Sequence, residues 1–367
     1  IRENEEDLYA GIEYRQTKDV GMALKLISQP GSELIIRYAF EYARAFGHEK
    51  VTCMSKDNIM KISDGLFHKT FDEIATEYPD IETEHYIIDI GAARIATVPH
   101  QFDIVVTANL YGDVISDIAA EITGSVGLCG SANIGRNCAM FEAIHGSAPD
   151  IAGQKIANPS GLLQGAIMML SHIGETKVAE NIQNAWLCTI ESGCHTADIY
   201  KAGESKEKLG TEDFAKAVID NLGNTPKTLK AADFAQRGSG KITVPSSINN
   251  DNPIEKELVG IDMFFDWSGH PADLAEKIQS ALNDNHHNEL SLKTLTNRGV
   301  KVWPDLNEET FCTDHYQARL KSTKNDITFE AMLRAQEALS NAGLDIIRTE
   351  NLYNFNGEPG FSLAQGE

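Results

Sequence analysis

The sequence has little positive charge and no long apolar run. Its 367 residues include 32 Lys and Arg against 54 Asp and Glu, which gives a formal net charge of −22. A protein that wraps a nucleic-acid backbone needs a basic stripe, so this composition argues against a nucleic-acid partner. No apolar run reaches the roughly 18 residues that a membrane-spanning helix needs. We therefore expect a soluble protein that binds neither nucleic acid nor a membrane.

Cysteine is also scarce, and no two cysteines form a Cys-x-x-Cys pair. The dispersed spacing fits neither a zinc cluster nor a disulfide framework. This usage favours a reducing compartment, which we expect to be the bacterial cytoplasm, or the mitochondrial matrix if the source is eukaryotic. The six residues are Cys53, Cys129, Cys138, Cys188, Cys194 and Cys312.

The first two thirds of the chain show helical and strand patterns. Between residues 30 and 125, stretches with a 3.6-residue apolar period alternate with short continuous apolar runs, which is typical of α/β layering. Residues 160–221 are mostly helical in pattern. The predicted strands are Lys50–Met54, His85–Ile90 and Asp103–Asn109, and the predicted helices are one capped by Ser32, Leu66–Thr76 and Asp113–Ile122.

A linker and a further domain are predicted after this region. Residues 235–254 are rich in Gly, Ser, Asn and Pro, which is typical of a linker. Beyond it, the order β-α-β-β-α-β predicts a ferredoxin-like α+β domain over residues 255–367. Small domains with no chemistry of their own can have the same order. Because no anion-binding loop or ionisable cluster stands out there, we expect a role in assembly rather than in small-molecule sensing.

Two carboxylates lie four residues apart in the segment NLYGDVISD. On the predicted helix this spacing puts Asp113 and Asp117 on one face, about 5–6 Å apart between Cβ atoms. Two like charges at that distance repel unless a cation lies between them, and Mg²⁺ or Mn²⁺ prefers such oxygen ligands. Taken alone, the pair is explained better by Asp113 favouring the helix N-terminus through the dipole and Asp117 lying in solvent.

A polar loop, His145–Gly161, separates an apolar strand pattern from a long helix. Its small residues allow backbone N–H groups to approach an anion closely, although a plain surface loop can have the same composition. The sequence has no G-x-G-x-x-G that opens a βαβ unit. A Rossmann dinucleotide site is therefore not expected.

Single residues near the start and after predicted strands could carry chemistry. Arg2, Tyr9 and Arg15 lie among acidic residues, and an arginine fork suits a substrate carboxylate. By spacing alone, a salt-bridged surface strand explains them better. Lys56 and Asp89 lie at the ends of strand patterns, where α/β proteins tend to place functional groups. None of these positions decides a function alone.

Five segments together resemble the β-decarboxylating dehydrogenases, the isocitrate and 3-isopropylmalate dehydrogenase family. They occur in the family's order and extend over residues 1 to about 225. Residues 255–367 are similar to the C-terminal extension of one homodimeric subgroup of that family. The segments are RENEEDLYAGIE (2–13), KDNIMK (56–61), NLYGDVISD (109–117), GSANIG (130–135) and HGSAPDIAGQKIANP (145–159).

The resemblance implies an isocitrate/isopropylmalate dehydrogenase-like α/β fold with a non-Rossmann dinucleotide site. Residues 1–123 would form a small, dimerising domain with a clasp and a metal-binding helix. Residues 124–234 would complete the larger cofactor-binding domain, followed by the linker at 235–254 and the extension at 255–367. A homodimer that shares its active sites is implied, and the extension would support a higher oligomer.

The implied activity is the metal-dependent oxidative decarboxylation of isocitrate to 2-oxoglutarate and CO₂. Arg2 would bind carboxylates of isocitrate, and Tyr9 would protonate the enolate. Lys56 of the partner subunit would remove the hydroxyl proton. The implied ligands of Mg²⁺ or Mn²⁺ are Asp113, Asp117 and Asp89 of the partner subunit.

Two other functions stay open at this point. Within the family, homoisocitrate or 3-isopropylmalate dehydrogenase is the alternative, since the residues that contact the substrate's side group belong to a segment that precedes the matched region. We expect these 367 residues to lack that N-terminal segment. A non-catalytic regulatory subunit is the alternative from another class. The residues whose retention argues against it are Tyr9, Lys56, Asp89, Asp113 and Asp117.

The resemblance also implies NAD rather than NADP as the cofactor. NADP-dependent relatives typically have Lys and Tyr where this chain has Asp150 and Ile151. A carboxylate can accept hydrogen bonds from the ribose hydroxyls of NAD and would repel the 2′-phosphate of NADP. Lys201 keeps a positive charge nearby and weakens the inference. The implied cofactor-binding residues are His145, Gly146, Ser147, Ala148, Asp150, Ile151 and Asn158.

Overall fold

A computed structural model describes residues 1–234, 242, 253–284, 289–305, 309–322 and 327–363. The predicted linker at 235–254 lies almost entirely outside these ranges. The described residues form two compact units. The first contains Ile1–Tyr9 and the residues from Leu26 to 234, and the second contains Ala10–Lys25 and the residues from 253 onward. Within the described ranges, no helix has both the length and the apolar character needed to cross a membrane.

Helices and strands alternate between residues 30 and 125, as the sequence predicts. Within the described ranges the helices are α1 (Gln29–Phe46), α2 (Ser63–Ala75), α3 (Ile88–Thr97), α4 (Asn109–Ile122), α5 (Ser160–His172), α6 (Thr176–Glu191), α7 (Thr211–Asp220), α8 (Pro271–Asp284) and α9 (Phe329–Asn341). The strands are β1 (Glu13–Arg15), β2 (Gly21–Ala23), β3 (Lys50–Ser55), β4 (Glu82–Ile87), β5 (Ile104–Thr107), β6 (Gly130–Ile134), β7 (Ala139–Ala143), β8 (Cys194–His195), β9 (Glu207–Lys208), β10 (Lys256–Asp266), β11 (Leu290–Asn297), β12 (Val300–Trp303), β13 (His315–Ser322), β14 (Asp345–Phe355) and β15 (Glu358–Pro359).

Three parallel strands form a sheet in the first unit, in the order β4-β3-β5. Cys53 of the central strand lies opposite His85 of β4 and Val106 of β5. Five of the six residues of β3 are buried, which is typical of a parallel strand covered on both faces. Aromatic side chains of α1 and α2 contribute to this core, with the ring centroids of Phe40 and Phe71 5.5 Å apart.

Helix α1 begins at a different serine from the one the sequence suggests. Ser28 is the N-cap, because its hydroxyl accepts the N–H of Gly31 at 3.1 Å. Ser32 lies inside the first turn, and its hydroxyl donates to the carbonyl of Ser28 at 2.8 Å. The helix ends at Phe46, and its C-cap Gly47 has a φ of 69°, which glycine adopts far more readily than other residues.

The predicted strand His85–Ile90 is wrong at both ends. Pairing of β4 with β3 stops at Ile87, opposite Ser55. From Ile88 the backbone forms α3, so Asp89 lies in the first turn of a helix rather than at the end of a strand. Helix α4 likewise begins earlier than predicted, at Asn109, so Asp113 lies beyond its first turn. The helix dipole acts most strongly within the first turn. The dipole explanation of Asp113 is therefore weakened.

Close backbone packing in the first unit explains two glycines. The antiparallel hairpin β6–β7 packs against α5. A Cβ at Gly130 would lie 2.5 Å from the backbone nitrogen of Gly165. A Cβ at Gly165 would in turn lie 2.9 Å from the carbonyl oxygen of Glu142. Glycine at both positions lets the helix approach the hairpin, and α5–α7 confirm the predicted helical texture of residues 160–221.

The second unit has the predicted β-α-β-β-α-β arrangement with additions. Its sheet has the order β12-β11-β13-β10-β14-β15, and α8 and α9 contribute to its core with Ile261, Met263 and Phe265. The short strands β12 and β15 extend the sheet at its edges. The hairpin β1–β2 belongs to this unit as well, and Thr17 donates to Asp314 at 2.6 Å.

A buried ion pair lies in this sheet, where the sequence suggests no ionisable cluster. Asp262 and Arg319 are opposite each other across β10 and β13. Their nearest nitrogen and oxygen atoms are 2.8 Å apart, and each side chain is 6% exposed. Gln317 also donates to Asp262 at 2.6 Å. The expectation of an assembly role rested on the lack of such a cluster, so it loses that support.

Candidate active site

Arg2 is held against the first turns of α4. The backbone at Arg2 pairs with Thr107 at the end of β5. Nη1 of Arg2 donates to Asp113 at 2.8 Å, while Nε and Nη2 donate to Oδ1 of Asn109 at 3.0 and 2.8 Å. A Cβ at Gly112 would lie 2.5 Å from Cγ of Arg2, so glycine makes room for the arginine stem. Neither Asn109 nor Gly112 was predicted to have a role, although both lie in the NLYGDVISD segment.

Tyr9 completes a group with Arg2 and Asp113. The guanidinium carbon of Arg2 lies 4.8 Å from the centroid of the Tyr9 ring, within the range of a cation–π contact. The Tyr9 side chain is 51% exposed. Its hydrogen bond with Asp113 raises the pKa of the phenol above the ordinary value. A phenol, a guanidinium and a carboxylate therefore meet at one accessible place.

The two carboxylates of α4 fit the predicted divalent ion. Asp117 lies one turn beyond Asp113 and is exposed, and the Asp113 side chain is 45% exposed. Carboxylate oxygens on one helix face are a donor set that Mg²⁺ and Mn²⁺ prefer, with further positions left for substrate and water.

Lys56 and Asp89 form a second group. Nζ of Lys56 lies 2.9 Å from Oδ1 of Asp89, and this hydrogen bond lowers the pKa of the Asp89 carboxyl. The backbone N–H of Lys56 donates to the buried Asp64 at 2.6 Å. Burial, followed by the charge of Asp64, raises the pKa of Tyr111 on α4. Asp64 thus anchors the turn that carries Lys56, and its charge also acts on Tyr111; the sequence pointed to neither residue.

One chain does not bring all three predicted metal ligands together. Within the described ranges, a single group of three or more His, Cys, Asp and Glu residues has ligand atoms close enough for an ion, and it is formed by Asp57, His68 and His85. Because Asp89 is predicted to come from a partner subunit, its place in the metal site stays a prediction.

The predicted cofactor loop is largely open to solvent. It contains one turn of 3₁₀ helix, Pro149–Ile151, and Ala148 before it has a φ of 44°. Nδ1 of His145 lies 2.9 Å from the carbonyl oxygen of Gly146. The exposed residues among those predicted to bind the cofactor are His145, Gly146, Ser147, Ala148 and Asp150, while Ile151 is half-buried.

Asn158 differs from the other loop residues because it is buried. Its amide donates to Asp198 at 2.9 Å, and its carbonyl accepts the N–H of Ser160. Asp198 also accepts hydrogen bonds from Ser125 and Thr196, each at 2.6 Å. Burial raises the pKa of Asp198, but these hydrogen bonds outweigh it and hold the pKa below the ordinary value. No sequence spacing links Ser125 to Asp198, so the network was not anticipated.

A further contact joins the loop to the start of α7. The N–H of Thr211 donates to the carbonyl of Lys155 at 2.9 Å, and its hydroxyl donates to the carbonyl of Ala157 at 2.6 Å. Together with the Asn158–Asp198 bond, this contact fixes both ends of the segment 198–211, which carries Lys201, to the loop.

Family models match both parts of the chain. Residues 1–218 match the model described as isocitrate/isopropylmalate dehydrogenase. The chain belongs to the isocitrate/isopropylmalate dehydrogenase family. Residues 256–367 match the model described as bacterial isocitrate dehydrogenase, C-terminal domain. The fold predicted from the sequence, a non-Rossmann α/β dehydrogenase fold with an appended C-terminal domain, is thereby confirmed.

Similar proteins cover the whole chain. The isocitrate dehydrogenase (NADP) of Rickettsia felis is 55% identical over 100% of this chain and 75% of the relative. The isocitrate dehydrogenase (NADP) of Thermus thermophilus is 39% identical over 100% of this chain and 73% of the relative. A crystal structure of a protein from Thermus thermophilus matches with a TM-score of 0.90 at 38% identity, covering 100% of this chain and 72% of that chain.

These relatives contradict the prediction of NAD as the cofactor. Those that are 52–55% identical over the whole chain are named isocitrate dehydrogenase (NADP), so the NAD prediction is wrong. The prediction relied on repulsion between the Asp150 carboxylate and the 2′-phosphate of NADP. Asp150 is instead exposed, and solvent screens the repulsion between an exposed carboxylate and a phosphate.

Proposed function

We propose that this chain catalyses the oxidative decarboxylation of isocitrate to 2-oxoglutarate and CO₂ as a homodimer, with NADP as the hydride acceptor. The cluster of Arg2, Tyr9 and Asp113 carries the proposal, because it combines an anion-binding group, a proton donor and a metal-binding carboxylate. The names of relatives that are 52–55% identical over the whole chain support the substrate and the cofactor.

Arg2 binds a carboxylate of the substrate. Its guanidinium can make two parallel hydrogen bonds to a carboxylate, which the single ammonium of a lysine cannot reproduce. Arg2 and Asp113 now compensate each other's charge at 2.8 Å. When a substrate carboxylate binds Arg2 and a metal ion binds Asp113, two new ion pairs replace the one between these side chains. No charge is then left uncompensated.

Asp113 and Asp117, joined by Asp89 of the partner subunit, are the residues that would hold Mg²⁺ or Mn²⁺. When bound, the ion polarises the substrate carbonyl and stabilises the negative charge that develops as CO₂ leaves. The exposed position of Asp117 on α4 leaves its oxygens accessible to a second subunit.

Two side chains move protons in the proposed reaction. Nζ of Lys56 of the partner subunit takes the proton of the substrate hydroxyl while hydride passes from C2 to the nicotinamide. Loss of CO₂ leaves the electron pair as an enolate, and Tyr9 donates its phenol proton to C3. A tyrosine phenol keeps its proton at neutral pH, so Tyr9 can hold the proton until this step.

Two lysines near the loop supply positive charge for the 2′-phosphate of NADP. Lys155 and Lys201 are both exposed, and they form ion pairs with Glu212 at 3.0 Å and Glu204 at 4.0 Å. Exposed ion pairs contribute little free energy. Each lysine can therefore leave its glutamate and pair with the 2′-phosphate at little cost in free energy. His145, Gly146, Ser147 and Ala148 would lie near the rest of the cofactor.

Steady-state kinetics on the full-length protein test the proposal. Isocitrate, homoisocitrate and 3-isopropylmalate are compared with NADP and NAD in the presence of Mg²⁺. We expect turnover of isocitrate, and a kcat/KM with NADP at least about tenfold above that with NAD. Lys201→Met should raise the KM for NADP more than that for NAD, whereas Lys177→Met, a change of an exposed lysine on α6, should alter neither. Preference for another substrate, or binding of isocitrate without turnover, would contradict the proposal.

A further inference from the structure

A second group of potential metal ligands lies next to the turn that carries Lys56. Asp57 follows Lys56 in the turn after β3, His68 lies in the second turn of α2, and His85 lies in β4 opposite Cys53. One ligand atom from each of the three lies within 4.8 Å of the others, and no other group of this kind occurs within the described ranges. We call these residues the Asp57–His68–His85 cluster.

The two imidazoles of the cluster are closely packed. Their ring centroids are 3.6 Å apart with an interplanar angle of 17°. Nδ1 of His68 lies 2.7 Å from Oδ2 of Asp57, and the hydroxyl of Ser55 lies 2.8 Å from Nε2 of His85. The three cluster side chains are only about one fifth exposed. The cluster is therefore largely shielded from bulk water. Because an imidazole nitrogen binds a metal ion in the plane of its ring, at least one of the two stacked rings must turn for both to bind the same ion.

One oxygen of the cluster has no partner. Oδ1 of Asp57 is buried, accepts no hydrogen bond and lies 3.8 Å from Nε2 of His85. This separation is too long for a hydrogen bond. It is close to the distance of about 3.4–3.8 Å expected between two ligands that each lie about 2.1 Å from a Zn²⁺ ion. A buried carboxylate oxygen without a partner is costly, and a bound cation would remove that cost.

The donor set selects the class of ion. Imidazole nitrogens suit zinc and neighbouring transition metals, whereas Mg²⁺ and Ca²⁺ prefer oxygen ligands alone. Oδ1 of Asp72 lies 3.7 Å from Nε2 of His68, which is too long for a hydrogen bond, so this carboxylate adds only its negative charge beside the ring.

We propose that Asp57, His68 and His85 bind a divalent transition metal such as Zn²⁺, at a site distinct from the carboxylates of α4. The bound ion would tie together three elements, the turn after β3, α2 and β4. Because Asp57 follows Lys56 directly, the ion would also restrict the backbone that carries Lys56. The proposal stands whether or not Lys56 is the base of the dehydrogenase reaction.

Calorimetric titration of the full-length protein with Zn²⁺ tests this site. Excess Mg²⁺ is included so that the sites made of carboxylates alone are filled. We expect one Zn²⁺ per chain at this site, with an affinity that falls at least about tenfold in both His68→Asn and His85→Gln. His100→Asn, which changes an exposed histidine, and Asp117→Asn, which removes a carboxylate of α4, should leave the affinity unchanged. Equal affinity in the wild type and His85→Gln would show adventitious binding only and overturn the proposal.

A second measurement does not depend on how the variants fold. Co²⁺ is used as a paramagnetic probe of the wild-type protein, in which coordinating imidazoles give hyperfine-shifted ring N–H signals in the NMR spectrum. We expect signals from two imidazoles, together with a rise in the thermal unfolding midpoint on addition of Zn²⁺. The absence of shifted imidazole signals at saturating Co²⁺ would also overturn the proposal.

Discussion

At the scale of single residues, Arg2 shows how a side chain gains specificity from its surroundings. Its three guanidinium nitrogens all donate to side chains of α4, and Gly112 leaves space for its stem. A lysine at this position could place one charge there but could not maintain the Asn109 contact together with two parallel hydrogen bonds to a carboxylate.

We predict that Arg2→Lys lowers kcat/KM for isocitrate by about 100-fold, because hydrogen bonds to a charged group contribute about 1.5–3 kcal/mol each. Steady-state kinetics at saturating NADP measure the effect. Arg15→Lys is the matched control, since Arg15 lies in the same segment but donates only to the carbonyls of Thr17 and Lys18 among the contacts described. An Arg2→Lys enzyme with the activity of the control would show that Arg2 does not bind the substrate.

The residues of the candidate site could be predicted only in part. Resemblance to the family pointed to Arg2, Tyr9 and Asp113, and the structure brings these three together. Their spacing alone could not do so, because Arg2 and Asp113 are separated by 111 positions in the chain. The cofactor prediction failed for a related reason. A sequence shows the charge of Asp150 but not its exposure, and exposure decides how strongly that charge acts.

At the scale of elements, periodicity located helices and strands better than it located their ends. Helices α2 and α4 were expected, yet each begins earlier than its apolar pattern suggests. The ends depend on hydrogen bonds that periodicity does not show. Ser28 rather than Ser32 satisfies the first N–H groups of α1, and β4 stops where its pairing with β3 stops.

The end of α6 provides a test of such local hydrogen bonding. Glu191 is the last residue of that helix, a position where a negative charge is unfavourable to the helix dipole. Its carboxylate nevertheless accepts the backbone N–H groups of Lys227, Thr228 and Leu229 at 2.7–2.9 Å. These hydrogen bonds lower the pKa of Glu191 to about 2.

We predict that Glu191→Gln lowers the thermal unfolding midpoint at pH 7 and that the difference from the wild type shrinks in acid. A pKa that is depressed in the folded state contributes stability that is present above the unfolded value of 4.5 and is lost as the pH falls toward about 2. Calorimetry between pH 7 and pH 3 measures the difference. Glu73→Gln, which removes an exposed ion pair with Lys69 at 3.8 Å, should change the midpoint little at any pH. A constant difference for Glu191→Gln across this range would contradict the assigned cause.

At the scale of the whole molecule, the order of elements was predicted better than their grouping. Residues 10–25 were expected in the first domain, whereas their contacts lie with the second unit. No apolar periodicity marks this segment, since β1 and β2 have three residues each and mostly exposed side chains. Its place depends on contacts distant in sequence, such as the one between Thr17 and Asp314.

The division of the candidate catalytic groups leads to the prediction for the homodimer. Arg2, Tyr9 and Asp113 form one group, and Lys56 with Asp89 forms the other. If each active site combines the first group of one subunit with the second group of its partner, then two chains with different defects can complement each other. A Lys56→Met chain and an Asp113→Asn chain, each inactive as a homodimer, should regain activity when mixed under conditions that exchange subunits.

Random exchange of equal amounts should restore about one quarter of the wild-type activity, because half of the dimers are mixed and each of those has one of its two sites intact. The matched control is the double variant Lys56→Met/Asp113→Asn mixed with wild type. In a shared-site dimer, every site of that mixed dimer lacks one group, so only the wild-type homodimers remain active. If each subunit instead has its own complete site, a mixed dimer of wild type and double variant would keep one working site. A mixed dimer of the two single variants would then have no working site. Kinetics on mixed dimers isolated with two different affinity tags distinguish these cases. A mixed dimer of one Lys56→Met chain and one Asp113→Asn chain that is inactive would exclude sharing of the active site.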